Sequence, residues 1–189
     1  MNKTAVILIL VFLGLYLCVN TSNSQSPYIA VYFDRGFECW ARVCPEDAPY
    51  TKFDTLYVVA RNFDEEIISV EYKIDYTWAL YFFTDIVDPG YSSEGTSPAG
   101  ITISFPSPLN GFEPQLVQRT MIWWVCTAND CHSLQIPVRV LPHPASGRIG
   151  AVRSLDFTFI DAIGWTSLIC PPLSPVESGT WGHIKSLYH

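Results

Sequence analysis

The chain has 189 residues, and 18 acidic side chains against 11 lysines and arginines give it a formal net charge of −7 at pH 7. Affinity for nucleic acid and for anionic membranes depends on clustered basic side chains, so this composition excludes both as partners. Behind a short leader, the remaining length suits one domain with its own hydrophobic core.

The first 24 residues predict a secretory signal peptide. Lys3 precedes an apolar run, Ala5–Val19, and polar residues follow, which is the order of a cleavable leader. The run is shorter than the roughly 20 residues of a membrane-spanning helix, although an uncleaved anchor stays open. Cys18 raises the alternative of a lipid anchor, but the residue before it is a leucine where a small residue normally stands. We expect cleavage near Ser24 and a secreted or cell-envelope protein, periplasmic or extracellular.

Residues 25–170 predict an antiparallel β-sandwich or barrel. Apolar runs recur about every ten residues between turn residues, and no helical period occurs before residue 171. Ile68, Val70, Tyr72 and Ile74 are predicted to face the core from one alternating strand. The predicted strands are Tyr28–Phe33, Thr55–Arg61, Ile67–Ile74, Ile101–Phe105, Val117–Cys126, Cys131–Val140, Arg148–Arg153, Phe157–Ile160 and Thr166–Cys170, with Tyr76–Thr84 either a buried strand or an irregular segment.

The residues from Asp85 to Ala99 predict the longest loop, where binding sites are common. Asp85, Asp88 and Glu94 are candidate calcium ligands, since Ca²⁺ prefers carboxylate and carbonyl oxygens. Their spacing does not match an EF-hand, and a solvated acidic loop is the simpler interpretation. No other metal or cofactor is predicted, and residues 106–114 predict a second loop.

The stretch Val117–Val140 predicts a β-hairpin, because two runs rich in β-branched and aromatic residues flank a polar T-A-N-D connection. If Cys126 lies opposite Cys131, the alternation places Trp123 and Arg119 on the core face. The same register places Trp124 on the half-wet outer face.

Cysteines in an exported protein are first interpreted as disulfides. The hairpin register predicts a Cys126–Cys131 bridge. Cys39, Cys44 and Cys170 leave two options, a local bridge or one that ties the N-terminal region to Cys170. Of the six cysteines, Cys18 lies in the predicted leader, so five remain after cleavage and one thiol is left over or pairs with another chain.

Four aromatic residues are candidates for binding a protein partner or stacking on sugar rings: Trp78, Tyr81, Tyr91 and Trp124. The alternative is that these rings cover a second sheet or pack under loops. No catalytic motif is present: the four histidines lie in no recognisable arrangement with a nucleophile, and no phosphate-binding or zinc-protease signature occurs. Paired carboxylates that converge only in the fold keep a hydrolase as the third possibility.

The last 19 residues differ in kind from the rest. A proline-rich linker begins at Pro171, and Thr180 can cap a short amphipathic helix. The apolar stripe of this predicted helix would dock on another surface through Trp181, Ile184, Leu187 and Tyr188.

Three segments carry a family resemblance: the opening Y-I-A-V-Y-F-D, the T-L-Y-V-V-A-R strand, and the alternating I-I-S-V-E-Y-K-I strand. With the tail P-V-E-S-G-T-W-G-H-I-K-S-L-Y, they resemble an uncharacterised group of secreted bacterial proteins with a cohesin-like β-sandwich and a Trp-containing C-terminal end. The resemblance implies a non-catalytic module that binds a protein, with polysaccharide binding as the alternative. It supplies no site residue.

Overall fold

The computed structural model describes residues 26–38, 41–42, 50–76, 80–126 and 136–169. Every regular element in these ranges is a β-strand, which confirms the all-β class. No helix of the described ranges is long and apolar enough to cross a membrane. The predicted tail helix falls in residues 171–189, outside them. The strands are β1 (Tyr28–Tyr32), β2 (Ala41–Arg42), β3 (Tyr50–Arg61), β4 (Glu66–Tyr76), β5 (Leu80–Ile86), β6 (Ser92–Thr96), β7 (Gly100–Asn110), β8 (Gln115–Cys126), β9 (Ile136–Leu141), β10 (Gly150–Arg153), β11 (Phe159–Asp161), β12 (Ile163–Gly164) and β13 (Thr166–Ile169).

The first sheet has five strands in the order β12-β1-β3-β8-β5. Its centre is the long antiparallel pair of β3 and β8, which runs from Tyr50 opposite Cys126 to Ala60 opposite Gln115. β1 pairs with β3 antiparallel and with β12 parallel. β5 pairs with β8 and lies at the edge of the sheet.

The second sheet follows the order β11-β10-β4-β9-β13-β2, and the β6–β7 hairpin pairs with β4 through β7. β4 is the organising strand because it has neighbours along both sides. On one side it pairs with β7, and on the other with β10 near Glu71 and with β9 from Lys73 onward. An isolated bridge between His143 and Arg148 closes the turn that joins β9 to β10.

The core lies between the two sheets, where alternate residues of facing strands meet as the two-residue strand period requires. Leu56 and Val58 of β3 enter it from the first sheet, and Tyr72 and Ile74 of β4 enter it from the second. All four side chains are fully buried. The two sheets therefore form a β-sandwich around this apolar core.

The predicted hairpin over Val117–Val140 is wrong, although both of its arms contain strands. β8 pairs with β3 and β5 in the first sheet, whereas β9 pairs with β4 and β13 in the second. The chain therefore passes from one sheet to the other between Cys126 and Ile136. Local residue pattern identified the strands but carried no information about their partners.

A β-bulge in β8 explains why its predicted faces are also reversed. Val58 lies opposite Gln118 and Val59 opposite Leu116, so Val117 is an extra residue with no partner position of its own. An inserted residue shifts the alternation and exchanges the two faces of the strand that follows.

Beyond the bulge, Thr120, Ile122 and Trp124 face the core and are buried. Trp123 and Arg119 point to the outer face instead, where Trp123 is exposed and Arg119 is half-buried. The prediction that Trp124 lies on a half-wet surface is therefore wrong: its indole is 1% exposed.

Most other predicted strands match described ones, with local differences. The predicted loop from Asp85 to Ala99 contains β6, and β7 continues to Asn110 through the second predicted loop. In β4 the register against β7 shifts between Ile67 and Ser69, so Ile67 is buried in place of Ile68.

Candidate functional site

Four aromatic side chains form an exposed patch on the outer face of the first sheet. Phe53 lies on β3, Trp123 on β8, and Tyr81 and Phe83 on the edge strand β5. The hydrogen-bond registers place Phe53 opposite Trp123 and Trp123 opposite Tyr81, so one row of rings crosses three strands. Their exposures are 57% for Phe53, 38% for Trp123, 52% for Tyr81 and 63% for Phe83. We call these four residues the aromatic patch.

The rings of the aromatic patch contact one another. The centroids of Phe53 and Trp123 are 6.2 Å apart with ring planes 21° from parallel, and those of Tyr81 and Trp123 are 5.3 Å apart. Phe83 meets Phe53 edge-on at 5.9 Å. Rings held by cross-strand neighbours lose little rotamer freedom on binding, so covering this apolar surface would cost little side-chain entropy.

A pocket of about 390 Å³ opens on the same face of the same sheet. Its lining includes two arginines, a tyrosine and an acidic residue, namely Arg35, Arg119, Tyr57 and Asp88. Arg119 is four residues from Trp123 along β8, which corresponds to about 13 Å of strand. The remaining lining residues are Phe37, Ile86, Leu116, Val117 and Gln118.

A polar network inside the sandwich links the two sheets beneath this face. The Asp85 carboxylate of β5 accepts hydrogen bonds from the Ser97 amide at 2.7 Å, the Ser97 hydroxyl at 2.8 Å and the Thr120 hydroxyl at 2.9 Å. The side-chain amide of Gln118 donates a further bond to it. Tyr72 of the opposite sheet donates to Gln118 at 2.7 Å. Four hydrogen bonds from Ser97, Thr120 and Gln118 therefore hold the Asp85 carboxylate, and its role is structural.

Two tyrosines of this network have raised pKa values. Burial raises the pKa of Tyr72 well above its ordinary 10.0, and the charge of Asp85 adds to the shift. Burial also raises the pKa of Tyr76, although its hydrogen bond to the Ser97 hydroxyl acts in the opposite direction. Both phenols are therefore kept neutral in the folded protein over the range in which an unfolded tyrosine ionises.

We expect the protein to lose stability above pH 10 because of these two tyrosines. Above pH 10 the unfolded chain releases phenol protons that Tyr72 and Tyr76 retain in the folded protein, so alkali favours unfolding. Below pH 10 neither tyrosine makes the free energy of unfolding depend on pH. Each tyrosine should approach about 1.4 kcal/mol lost per pH unit. Urea unfolding between about pH 9 and about pH 11 measures the slope, which Tyr76→Phe should reduce. An equal slope in that variant would contradict the assignment.

The candidate binding residues that the sequence predicted lie in different environments in the structure. Tyr81 belongs to the aromatic patch, whereas Trp124 is buried in the core. Tyr91 is half-buried and packs edge-on against Phe105 at 4.9 Å, and Trp78 lies outside the described residues. The patch residues that the sequence reasoning missed are Phe53, Phe83 and Trp123. The alternation Tyr81-x-Phe83 was an available signal, but Trp123 required the bulge.

The structure does not bring the three candidate calcium ligands together. The Asp85 carboxylate is occupied by the network just described, and Asp88 accepts the amide of Gly90 at 3.0 Å within its own turn. Glu94 lies on the exposed strand β6, opposite Thr102. Across the described ranges, no group of three or more His, Cys, Asp or Glu side chains could hold a metal ion.

The disulfide predictions fall largely outside the described part of the chain. Cys39, Cys44, Cys131 and Cys170 lie outside the described residues, and Cys126 ends β8 opposite Tyr50. The hairpin register that suggested the Cys126–Cys131 bridge is not formed. Cys126 and Cys131 are close along the sequence, which still permits the bridge, and it stays a prediction.

A second, shallower groove of about 610 Å³ contains the acidic and histidine side chains that a hydrolase would need. Glu71, Glu94, His143 and Ser146 line it. The Ser146 hydroxyl donates to Glu71 at 2.6 Å, and Nδ1 of His143 accepts the amide of Ala145 at 3.2 Å. Among the described residues of the groove, the serine is bonded to Glu71 rather than to the imidazole, so they form no nucleophile–base pair of the serine-hydrolase kind.

No protein-family model matches the chain, and no curated protein matches it in sequence. Among solved structures, the sixth cohesin of scaffoldin B from Acetivibrio cellulolyticus, crystallised in complex with a Cel5 dockerin mutant, matches with a TM-score of 0.51 at 8% identity. The match covers 79% of this chain and 100% of that cohesin. A non-cellulosomal cohesin from the archaeon Archaeoglobus fulgidus gives a TM-score of 0.44 at 12% identity, over 84% of this chain and 99% of its own. The chain thus has a cohesin-like β-sandwich fold.

Proposed function

We propose that the protein is a non-catalytic module that binds another protein through the aromatic patch. The observation that carries the proposal is the row of exposed rings on one open sheet face, formed by Phe53, Trp123 and Tyr81 with Phe83 beside it. Contiguous exposed apolar surface on a folded domain marks an interaction site, and Trp, Tyr and Phe are enriched at the centres of protein interfaces.

The energetics of the aromatic patch support a protein partner. Fully burying a large apolar side chain contributes about 1.5–3 kcal/mol, and roughly half of that is still available for each patch residue. The rings are already ordered by contact with one another, so little conformational entropy is lost on docking. The cohesin that shares the fold was crystallised in complex with a dockerin, which supports a protein partner for this architecture.

Carbohydrate binding is the second candidate, and one feature of the patch favours it. Phe53 and Trp123 lie within 21° of parallel, so they offer a near-flat platform on which a sugar ring could stack. Phe83 stands edge-on to Phe53 and interrupts this platform. The arrangement therefore fits an irregular protein surface better than a chain of sugar rings.

We expect a displayed library of small protein domains, selected against the purified protein, to yield binders that require the aromatic patch. Replacing Phe53 and Trp123 together with serine should weaken these binders at least tenfold, because it removes the two stacked rings at the centre of the patch. Calorimetry of individual binders measures the loss. Polysaccharides tested by affinity electrophoresis provide the competing readout.

The matched control removes two apolar side chains elsewhere that are more exposed than Phe53 and Trp123. Leu155 and Phe157, in the turn between β10 and β11, are 81% and 73% exposed, and their joint replacement by serine should leave the binders unaffected. Equal losses in both double variants would indicate nonspecific adhesion and contradict the proposal. Retardation by a polysaccharide that is lost only with Phe53 and Trp123 would move the function to carbohydrate binding.

The proposed place of action is the cell envelope or the exterior. This rests on the predicted signal peptide of residues 1–24, whose order of charge, apolar run and polar residues is that of a secretory leader. Residues 25–170 would then form the binding domain, and residues 171–189 a linker and tail.

A further inference from the structure

We infer that the pocket around Arg119 binds a carboxylate, supplied by an acidic side chain of the protein that docks on the aromatic patch. The source of the carboxylate rests on the proposed function. The affinity of the pocket for a carboxylate does not, because it follows from the side chains that line the pocket.

Two arginines meet at this pocket in a chain whose formal charge is −7. Among the described residues, neither Arg35 nor Arg119 forms an ion pair. Arg35 reaches only the Tyr57 hydroxyl, at 3.4 Å. The arginines that do form ion pairs with described acids are Arg139 with Asp75, Arg148 with Asp161, and Arg153 with Glu65 and Asp156.

Arg119 is positioned by its neighbours on both sides. The register places it opposite Tyr57 of β3 and opposite Ile86 of β5, in the interior of the sheet rather than at an edge. It is half-buried there. A guanidinium partly removed from water gains most from a charged acceptor, and its planar fork of donors matches the two oxygens of a carboxylate.

The loop that carries Arg35 is held in one conformation. Asp34 accepts the amide of Gly36 at 2.9 Å and the amide of Glu38 at 3.1 Å. Phe37 between them has a φ of 58°, a region that a bulky side chain rarely adopts. Such strain persists where the surrounding structure imposes it and is concentrated at functional sites. It directs the Phe37 ring into the pocket wall.

The lining favours a carboxylate on an apolar stem over a phosphate. Phe37, Ile86 and Leu116 supply apolar wall around the two guanidinium groups. Asp88, which also lines the pocket and accepts the Gly90 amide, would repel a doubly charged group more strongly than a singly charged one. The volume of about 390 Å³ admits a side chain or a small organic acid.

The carboxylate would come from the docked partner because the pocket and the aromatic patch share one face. Arg119 and Trp123 project from the same side of β8, about 13 Å apart. A standard protein interface covers about 800 Å² on each partner, which spans both features. A partner that covers the patch therefore reaches the pocket.

The test uses 4-phenylbutyrate as the probe, its uncharged amide as the neutral control, and inorganic phosphate. We expect 4-phenylbutyrate to shift the backbone amide resonances of Tyr57 and Leu116 saturably, with a Kd on the order of 1 mM. Arg119→Gln should weaken this binding at least tenfold, and Arg35→Gln should weaken it as well. Arg61→Gln, an exposed arginine of β3 that does not line the pocket, should leave it unchanged.

Equal binding of the amide would overturn the inference in favour of an apolar cavity, and equal binding of phosphate would overturn it in favour of a general anion site. Replacing Trp123 should leave the probe affinity intact, so failure of the proposed function and failure of the pocket give different results. Binders selected on the patch should lose at least fivefold with Arg119→Gln, as interface charge pairs do. Binders indifferent to that change would overturn the inferred source.

Discussion

Replacing Asp85 with alanine is expected to lower the free energy of unfolding by about 3–5 kcal/mol, with no loss of apolar contact to explain it. The reason is the set of donors that would be left behind in the core. Ser97, Thr120 and Gln118 are fully buried or nearly so, and each directs at least one hydrogen to the carboxylate. A buried donor without an acceptor costs its full desolvation energy.

Asp85→Asn and Asp75→Ala are the controls for this effect. Asparagine keeps the shape of the side chain and one acceptor oxygen, but it turns an amide toward buried donors. We therefore expect Asp85→Asn to lower the free energy of unfolding by an amount between those of Asp75→Ala and Asp85→Ala. Asp75 forms an exposed 4.0 Å pair with Arg139, and its removal should cost less than about 1 kcal/mol. Urea unfolding midpoints at neutral pH measure all three variants. A loss for Asp85→Ala as small as that for Asp75→Ala would show that water replaces the carboxylate.

The network also explains why one fold-level prediction failed. An acidic residue in a stretch rich in Gly, Pro and Ser has the composition of a solvated loop, and Asp85 was assigned to one. In the structure it ends up inside because the donors around it come from residues 12 to 35 positions away along the chain. Nothing near Asp85 in the sequence indicates those donors.

Strand positions were predictable because period-2 alternation is a local property. Val70, Tyr72 and Ile74 were predicted to face the core and are buried. Strand partners were not predictable, since β8 and β9 have hairpin-like composition yet belong to different sheets. Turn residues limit which strands can pair, but they do not determine the partner of a strand when the chain passes from one sheet to the other.

The candidate site was predictable only in part, for a related reason. Tyr81 was identified because exposed aromatics near a long loop suggest binding. Phe53 and Trp123 were missed because their exposure depends on the face of each strand, and one inserted residue at Val117 reverses that face along β8. The number of aromatics was visible in the sequence, but the division between core and surface was not.

Trp123 and Trp124 are neighbours in the chain, yet their replacement by alanine should have opposite consequences. Trp124→Ala should cost about 3–5 kcal/mol, because it removes a 1% exposed indole from the centre of the sandwich and leaves a cavity. Trp123→Ala should cost less than about 1.5 kcal/mol, since its ring is exposed on the outer face, where it packs against Phe53 and Tyr81. Urea unfolding of the two variants measures the difference directly.

The same pair of variants tests the face assignment on which the proposed function depends. If β8 kept its alternation without the bulge, Trp123 would be the core residue and the order of the two losses would be reversed. If Trp124→Ala is the more destabilising variant, as expected, then Trp123→Ala gives a folded protein. A loss of partner binding in that variant is then caused by the change in the aromatic patch and not by unfolding. The Trp124→Ala result therefore decides how a loss of binding at Trp123 is to be interpreted.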